Sequence, residues 1–120
     1  LQAYERLVLL LDRISPQKLT LRVAPTSEDK QAYEHLLIEH INAEFDHNIT
    51  QQIYISENLW NVMLLAKNAT IQIIHKLSTE EKVTSASSLR EAILSEFMNK
   101  PTPSSNAVSH LVNEISTFIR

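Results

Sequence analysis

The chain has 120 residues, a formal net charge of −3, and neither cysteine nor glycine. This length fits a single domain, over residues 1–120, with a modest hydrophobic core. The lack of cysteine excludes disulfide scaffolds, thiolate metal sites and cysteine catalysis. The lack of glycine excludes the usual phosphate-binding loops, dinucleotide fingerprints and nucleophile elbows. Acidic and basic residues are interspersed, so no basic patch predicts binding to nucleic acid.

The first predicted helix spans about residues 1–15. At about 100° per residue, Leu7, Leu11 and Ile14 share one apolar arc. Leu9 points away from that arc, which makes this helix the expected surface for self-association or for a stalk. An exposed leucine alone is common on soluble proteins, so the expectation needs a measurement of oligomeric state.

The segment after the first helix alternates apolar and polar side chains at Leu19, Leu21 and Val23. Such alternation is typical of a short strand. A second helix is then predicted from about Thr26, which has capping-box spacing to Asp29, to about residue 48.

The stretch EFDHNITQQIYIS, residues 44–56, breaks the helical period. Its β-branched residues and glutamines suit a non-helical corner between two long antiparallel helices. Ile53 and Ile55 could pair briefly with residues 19–23 in a two-stranded ribbon, although an isolated pair of strands is marginal unless it is packed.

The third predicted helix spans about residues 57–77, after an N-cap at Ser56. Its polar stripe is so narrow that it should have neighbours on several sides, which makes it the central, largely buried helix. A fourth helix is predicted over about residues 88–99, starting with a capping box at Ser88. A fifth begins at Pro103, with apolar residues at Val108, Leu111, Val112, Ile115, Phe118 and Ile119. The predicted fold is an all-α bundle of four to five helices.

Lys67 falls inside the apolar arc of the third helix. A lysine there must either reach solvent with its ammonium or meet a carboxylate. Folding the second and third helices about residues 52 and 53 brings Glu34 within about 6 Å along the axis, so Glu34 is the predicted partner. The alternative is an ammonium in water.

Three potential metal ligands, His40, Glu44 and His47, lie along one edge of the second helix. Di-iron bundles use Glu-x-x-His on two helices and add single glutamates from two more. No other histidine in the chain has a glutamate three residues before it. We interpret this edge as a polar border of the core, and we predict no metal, no cofactor and no catalytic residue.

The segments LQAYERLVLLLDRISPQKLTLRV and EFDHNITQQIYIS, Trp60 and the proline-punctuated final helix resemble an uncharacterised bacterial family. Its members have one N-terminal membrane helix, a charged helical stalk and then a helical domain like this one. That family has no assigned activity, so the resemblance implies location only: a membrane-tethered domain facing the cytoplasm. The chain starts inside a helical pattern without methionine, and we expect it to be a truncated fragment whose anchor precedes Leu1.

These observations favour a non-enzymatic module for protein interaction or assembly at a membrane, with a protein partner or a second copy as its ligand. The support is mainly exclusion of other classes. The alternative is a helical bundle that binds a small molecule or a metal at His40, Glu44 and His47.

Overall fold

The computed structural model describes residues 2–118. Within that range the chain forms six α-helices and one 3-10 helix and contains no strand, which confirms the all-α prediction. The helices are α1 (Gln2–Ile14), α2 (Pro16–Arg22), α3 (Lys30–His47), α4 (Glu57–Ser78), α5 (Ala86–Glu96) and α6 (Pro103–Phe118); the 3-10 helix Ile49–Tyr54, here called the corner helix, joins α3 to α4. Leu1, Ile119 and the side chain of Phe118, all assigned above to terminal helices, lie outside the described part. None of the described helices has the length and hydropathy needed to cross a bilayer.

The predicted strand at residues 19–23 is wrong, because residues 19–22 belong to helix α2 and Val23 is its C-cap. Pro16 occupies the first turn, where its missing N–H is not needed, and the Leu19 N–H donates to the Ser15 carbonyl at 2.8 Å. Leu19 and Val23 are buried, whereas Leu21 is 70% exposed. Two apolar residues four positions apart share one face of a helix, so the same short pattern fits both a strand and a helix.

The predicted two-stranded ribbon is also wrong. Ile53 lies in the corner helix. Residues 19–22 of the predicted partner strand lie in α2. Asn48, which is buried, closes the end of α3 by donating from Nδ2 to the Glu44 carbonyl at 2.9 Å. The Gln51 N–H in turn donates to the Asn48 carbonyl at 3.0 Å. The corner therefore spans residues 48–56, and it is a 3-10 helix stabilised by local hydrogen bonds, not the non-helical connector that the sequence predicts.

Two helix starts differ from their predicted positions. α3 begins at Lys30 with Asp29 as its N-cap, and the Asp29 side chain accepts from the Gln31 N–H at 3.2 Å. α5 begins one residue after Ser85, which forms a reciprocal capping box with Ser88. Ser88 is thus the third residue of that helix and not its cap. The predicted N-cap of α4, Ser56, is confirmed, since its Oγ accepts from the Leu59 N–H at 3.0 Å.

The hydrophobic core is shared between α1 and α4. α4 contacts α1, α3, α5 and α6, as its narrow polar stripe predicts. α1, however, contacts α2, α3, α4, α6 and the corner helix. Its Leu7, Leu11 and Ile14 are fully buried, like Met63 of α4. The described structure therefore does not single out the third predicted helix, α4, as the one centre of the bundle.

Lys67 does not pair with Glu34. Its ammonium lies over the ring of Phe45, 5.4 Å from the ring centroid, a distance typical of a cation–π contact. Glu34 instead has a carboxylate oxygen 2.6 Å from Nδ1 of His75, which lies about two turns beyond Lys67 along α4. The corner helix moves the centre of the α3–α4 hairpin toward residue 55, which shifts the register of the two helices.

Glu114 of α6 joins three elements at one end of the molecule. One carboxylate oxygen accepts from the Tyr4 hydroxyl at 2.8 Å and from the Ser56 N–H at 3.1 Å, and the other accepts from the Ser56 hydroxyl. Burial by itself would raise the pKa of Glu114, but the hydrogen bonds from Ser56 and Tyr4 outweigh it and lower that pKa. Burial and the same carboxylate raise the pKa of Tyr4 to about 12.

We predict that Glu114→Gln destabilises the fold at neutral pH by about 1 kcal/mol, because a charged acceptor of three hydrogen bonds is lost. The lowered pKa of Glu114 means that its carboxylate stabilises the fold above the unfolded-chain pKa of about 4.3. This contribution is lost as the pH falls through the folded-state pKa. Urea unfolding at pH 7 and pH 3 measures the difference, which should shrink at acid pH. Glu91→Gln, on the exposed side of α5, is the control, and an equal effect of both variants would contradict the assignment.

We predict that Lys67→Met costs only about 0.5 kcal/mol, because the cation–π contact at a partly exposed site is worth about that much. A buried ion pair would give a loss of about 3 kcal/mol or more. Denaturant unfolding of the variant beside the unaltered protein separates the two values. A loss in the higher range would mean that Lys67 reaches a carboxylate after all.

Candidate functional site

His40, Glu44 and His47 lie together along one wall of a surface groove between α1 and α3. The groove has a volume of about 540 Å³. Its lining consists of three arginines, two histidines, one glutamate, one asparagine and three apolar side chains: Arg6, Leu9, Leu10, Arg13, Arg22, His40, Ala43, Glu44, His47 and Asn48. The edge predicted from the sequence is thus one wall of a larger site, which we call the arginine groove.

The Glu44 carboxylate already contacts two arginine side chains of the protein. Nε of Arg13 lies 2.5 Å from its Oε1, and Nη2 of Arg22 lies 3.9 Å from the same oxygen. The Glu44 side chain is only 16% exposed. Within residues 2–118 no group of three histidine, cysteine or acidic side chains is placed to hold a metal ion. A metal at Glu44 would have to displace two guanidinium groups.

Arg22 is held in the groove by its position as the last residue of α2. Its Nη2 donates to the Arg13 carbonyl at 3.0 Å, so α2 is linked to the end of α1. Burial and then the positive charge of Arg13 lower the pKa of Arg22, while Glu44 acts in the opposite direction. Two guanidinium groups therefore share one carboxylate, so the positive charge of Arg22 is only partly neutralised.

The remaining wall of the groove combines a cation with apolar surface. Arg6 is exposed and makes no ion pair within the described residues. Leu9 is 57% exposed beside the buried Leu10. With three arginines and one glutamate, the lining carries a formal charge of +2, in a chain whose net charge is −3. The groove can therefore attract an anion that also carries an apolar group.

Sequence reasoning found the α3 wall of this groove and missed the arginines. Arg6 and Arg13 are seven residues apart, a spacing that puts them on one face of α1, and this signal was present in the sequence. No local pattern indicates Arg22, because its place depends on how α2 turns back toward α1.

We predict that zinc does not bind stoichiometrically at micromolar concentration, because Arg13 and Arg22 compete for the only carboxylate among the three candidates. Calorimetric titration of the protein and of His47→Ala tests this. The heats should be small and equal for both proteins. Tight binding that disappears in His47→Ala would contradict the prediction and restore the metal hypothesis.

No curated protein and no solved structure gives a significant match. One family model, described as a family of unknown function (DUF7935), matches residues 1–118, which is nearly the whole chain. The chain therefore belongs to the DUF7935 family.

Proposed function

We propose that this domain is a non-enzymatic protein-interaction module that binds an acidic, amphipathic segment of a partner in the arginine groove. The observation that carries the proposal is the formal charge of +2 in the groove, against a net charge of −3 for the whole chain. A partner segment with carboxylates would be attracted to this groove, whereas the rest of the chain, whose net charge is −5 once the +2 of the groove is subtracted from −3, would repel it on average.

The chemistry of the groove suits carboxylates on a protein segment. A guanidinium group can bind a carboxylate through two parallel hydrogen bonds, and it is more easily desolvated than an ammonium. Arg6 makes no ion pair with another residue of the described range 2–118, and Arg22 shares Glu44 with Arg13. Leu9 supplies apolar surface at the same wall, against which a neighbouring leucine or valine of the partner can pack.

The location is part of the proposal. The resemblance of residues 1–23 and 44–56 to anchored bacterial proteins supports a module at the cytoplasmic face of a bacterial membrane, with a tether upstream of Leu1. A tether would raise the effective concentration of the module toward partners in the same membrane. A weak groove interaction would then be sufficient for assembly.

The alternative function is the binding of a small anionic molecule in the same groove. A volume of about 540 Å³ lies within the range of about 300–1,000 Å³ that ligand pockets occupy. The two functions require the same arginines. They differ in whether the groove binds a peptide segment or a small molecule.

We predict that the groove binds a fluorescent peptide of about 12 residues, roughly three helical turns, with glutamate on one face and leucine on the other. Fluorescence anisotropy measures the dissociation constant. Arg6→Glu should weaken binding about tenfold or more, and replacing the peptide glutamates by glutamine should have a similar effect. The affinity should also fall with added salt, because the attraction is between charges that are partly exposed.

Lys76→Glu is the matched control, since it reverses a charge on the exposed side of α4 and leaves the groove intact. It should change the dissociation constant by less than about twofold. Equal weakening by both variants would mean that peptide binding depends only on the net charge of the protein, and it would overturn the proposal. Complete competition by a short dicarboxylic acid such as succinate at micromolar concentration would favour the small-molecule alternative.

A further inference from the structure

A second surface depression lies between α4 and α6, away from the arginine groove. It has a volume of about 360 Å³. Its lining comes from one stripe of α4 and from the first half of α6: Val62, Leu65, Ala66, Ala69, Pro103, Asn106 and His110. The α4 members follow the spacing i, i+3, i+4 and i+7, so they form one continuous face of that helix. We call this depression the α4–α6 hollow.

Leu65 stands at the rim of the α4–α6 hollow. Its side chain is 69% exposed, whereas Ala66 is buried and Ala69 is partly buried. One patch therefore presents a protruding leucine and, one turn along the same helix, a depression lined by alanines and Pro103. Small side chains of this kind allow another helix to approach closely, and a leucine side chain fills less than the volume of the hollow.

The hollow also carries no formal charge. Its polar members are Asn106 and a histidine, His110, whose Nδ1 lies 3.0 Å from the Asn106 carbonyl of its own helix. Two copies of a chain with net charge −3 repel each other on average, which opposes their association. An uncharged apolar patch avoids that cost, and it offers nothing to an acidic or basic partner.

These observations distinguish the hollow from Leu9, the residue that first indicated self-association. Leu9 lies among Arg6 and Arg13, so two copies meeting there would bring together two grooves of formal charge +2. Leu65 has no such neighbour in its hollow. The more favourable surface for a second copy is therefore on α4.

We propose that two copies of this chain associate through the α4–α6 hollow. In this arrangement Leu65 of each copy packs against Ala69 and Pro103 of the other. A two-fold interface uses the same patch on both subunits and must be self-complementary, which a protrusion and a depression on one face satisfy. The hollow shares no lining residue with the arginine groove, so the dimer does not depend on the function proposed for that groove.

Sedimentation velocity over a range of protein concentrations up to about 1 mM tests the dimer, since a dissociation constant of that order corresponds to about −4 kcal/mol. The unaltered protein should shift from monomer to dimer. Leu65→Ser removes the protruding side chain, and Ala69→Glu puts a charge into the depression. Each variant should raise the dissociation constant at least about tenfold.

Leu21→Ser is the matched control, because Leu21 on α2 is 70% exposed, almost the same as Leu65. It should leave the dissociation constant within about twofold of the unaltered value. The proposal is overturned if the unaltered protein stays monomeric up to about 1 mM. It is also overturned if Leu65→Ser and Leu21→Ser weaken the dimer equally, or if Ala69→Glu has no effect. Arg6→Glu should not alter the dimer, which separates this test from that of the arginine groove.

Discussion

The burial of one face of α1 sets the positions of the helices around it. Leu7, Leu11 and Ile14 have no exposed surface, and the helix that carries them contacts α2, α3, α4, α6 and the corner helix. Because these apolar side chains must face inward, the polar residues of α1 are forced to the margins of its contacts. Tyr4 consequently meets Glu114 of α6, and Arg13 meets Glu44 of α3.

The same constraint explains why a glutamate and two histidines that resemble metal ligands are part of a cation-rich groove. His40, Glu44 and His47 are correctly spaced along α3, but a metal site also requires that the facing helix supply ligands. The facing helix here is α1, and it supplies arginines. Glu44 therefore neutralises Arg13 and part of the charge of Arg22, and the lining of the groove keeps a formal charge of +2.

Two surfaces of the molecule thus differ in the kind of partner that they suit. The arginine groove between α1 and α3 is charged, partly apolar and able to attract carboxylates over a distance of several ångströms. The lining of the α4–α6 hollow carries no formal charge and places the exposed Leu65 beside Ala69. A module with both surfaces could hold a partner and a second copy at once, because the linings have no residue in common.

The sequence by itself determined the all-α class, the long helices α1, α3, α4, α5 and α6 within a few residues, and the corner near residues 48–56. Those features follow from local forces: helical periodicity, the cap at Ser56 and the interruption by prolines act within one or two turns of chain. The α3 wall of the groove was likewise visible, because His40, Glu44 and His47 recur at helical spacing.

Only the tertiary structure decided the remaining features, because each depends on residues far apart in the chain. The spacing of Leu19 and Val23 fits a strand and a helix equally well. The packing of α2 on α1 and α5 decides for the helix. The register of the α3–α4 hairpin depends on the number of residues in the corner helix. This register decides the partners of Lys67 and Glu34. Arg22 reaches Glu44 only because α2 folds back along α1. Long-range packing of this kind leaves no local pattern, since its energy comes from surfaces that meet only in the folded chain.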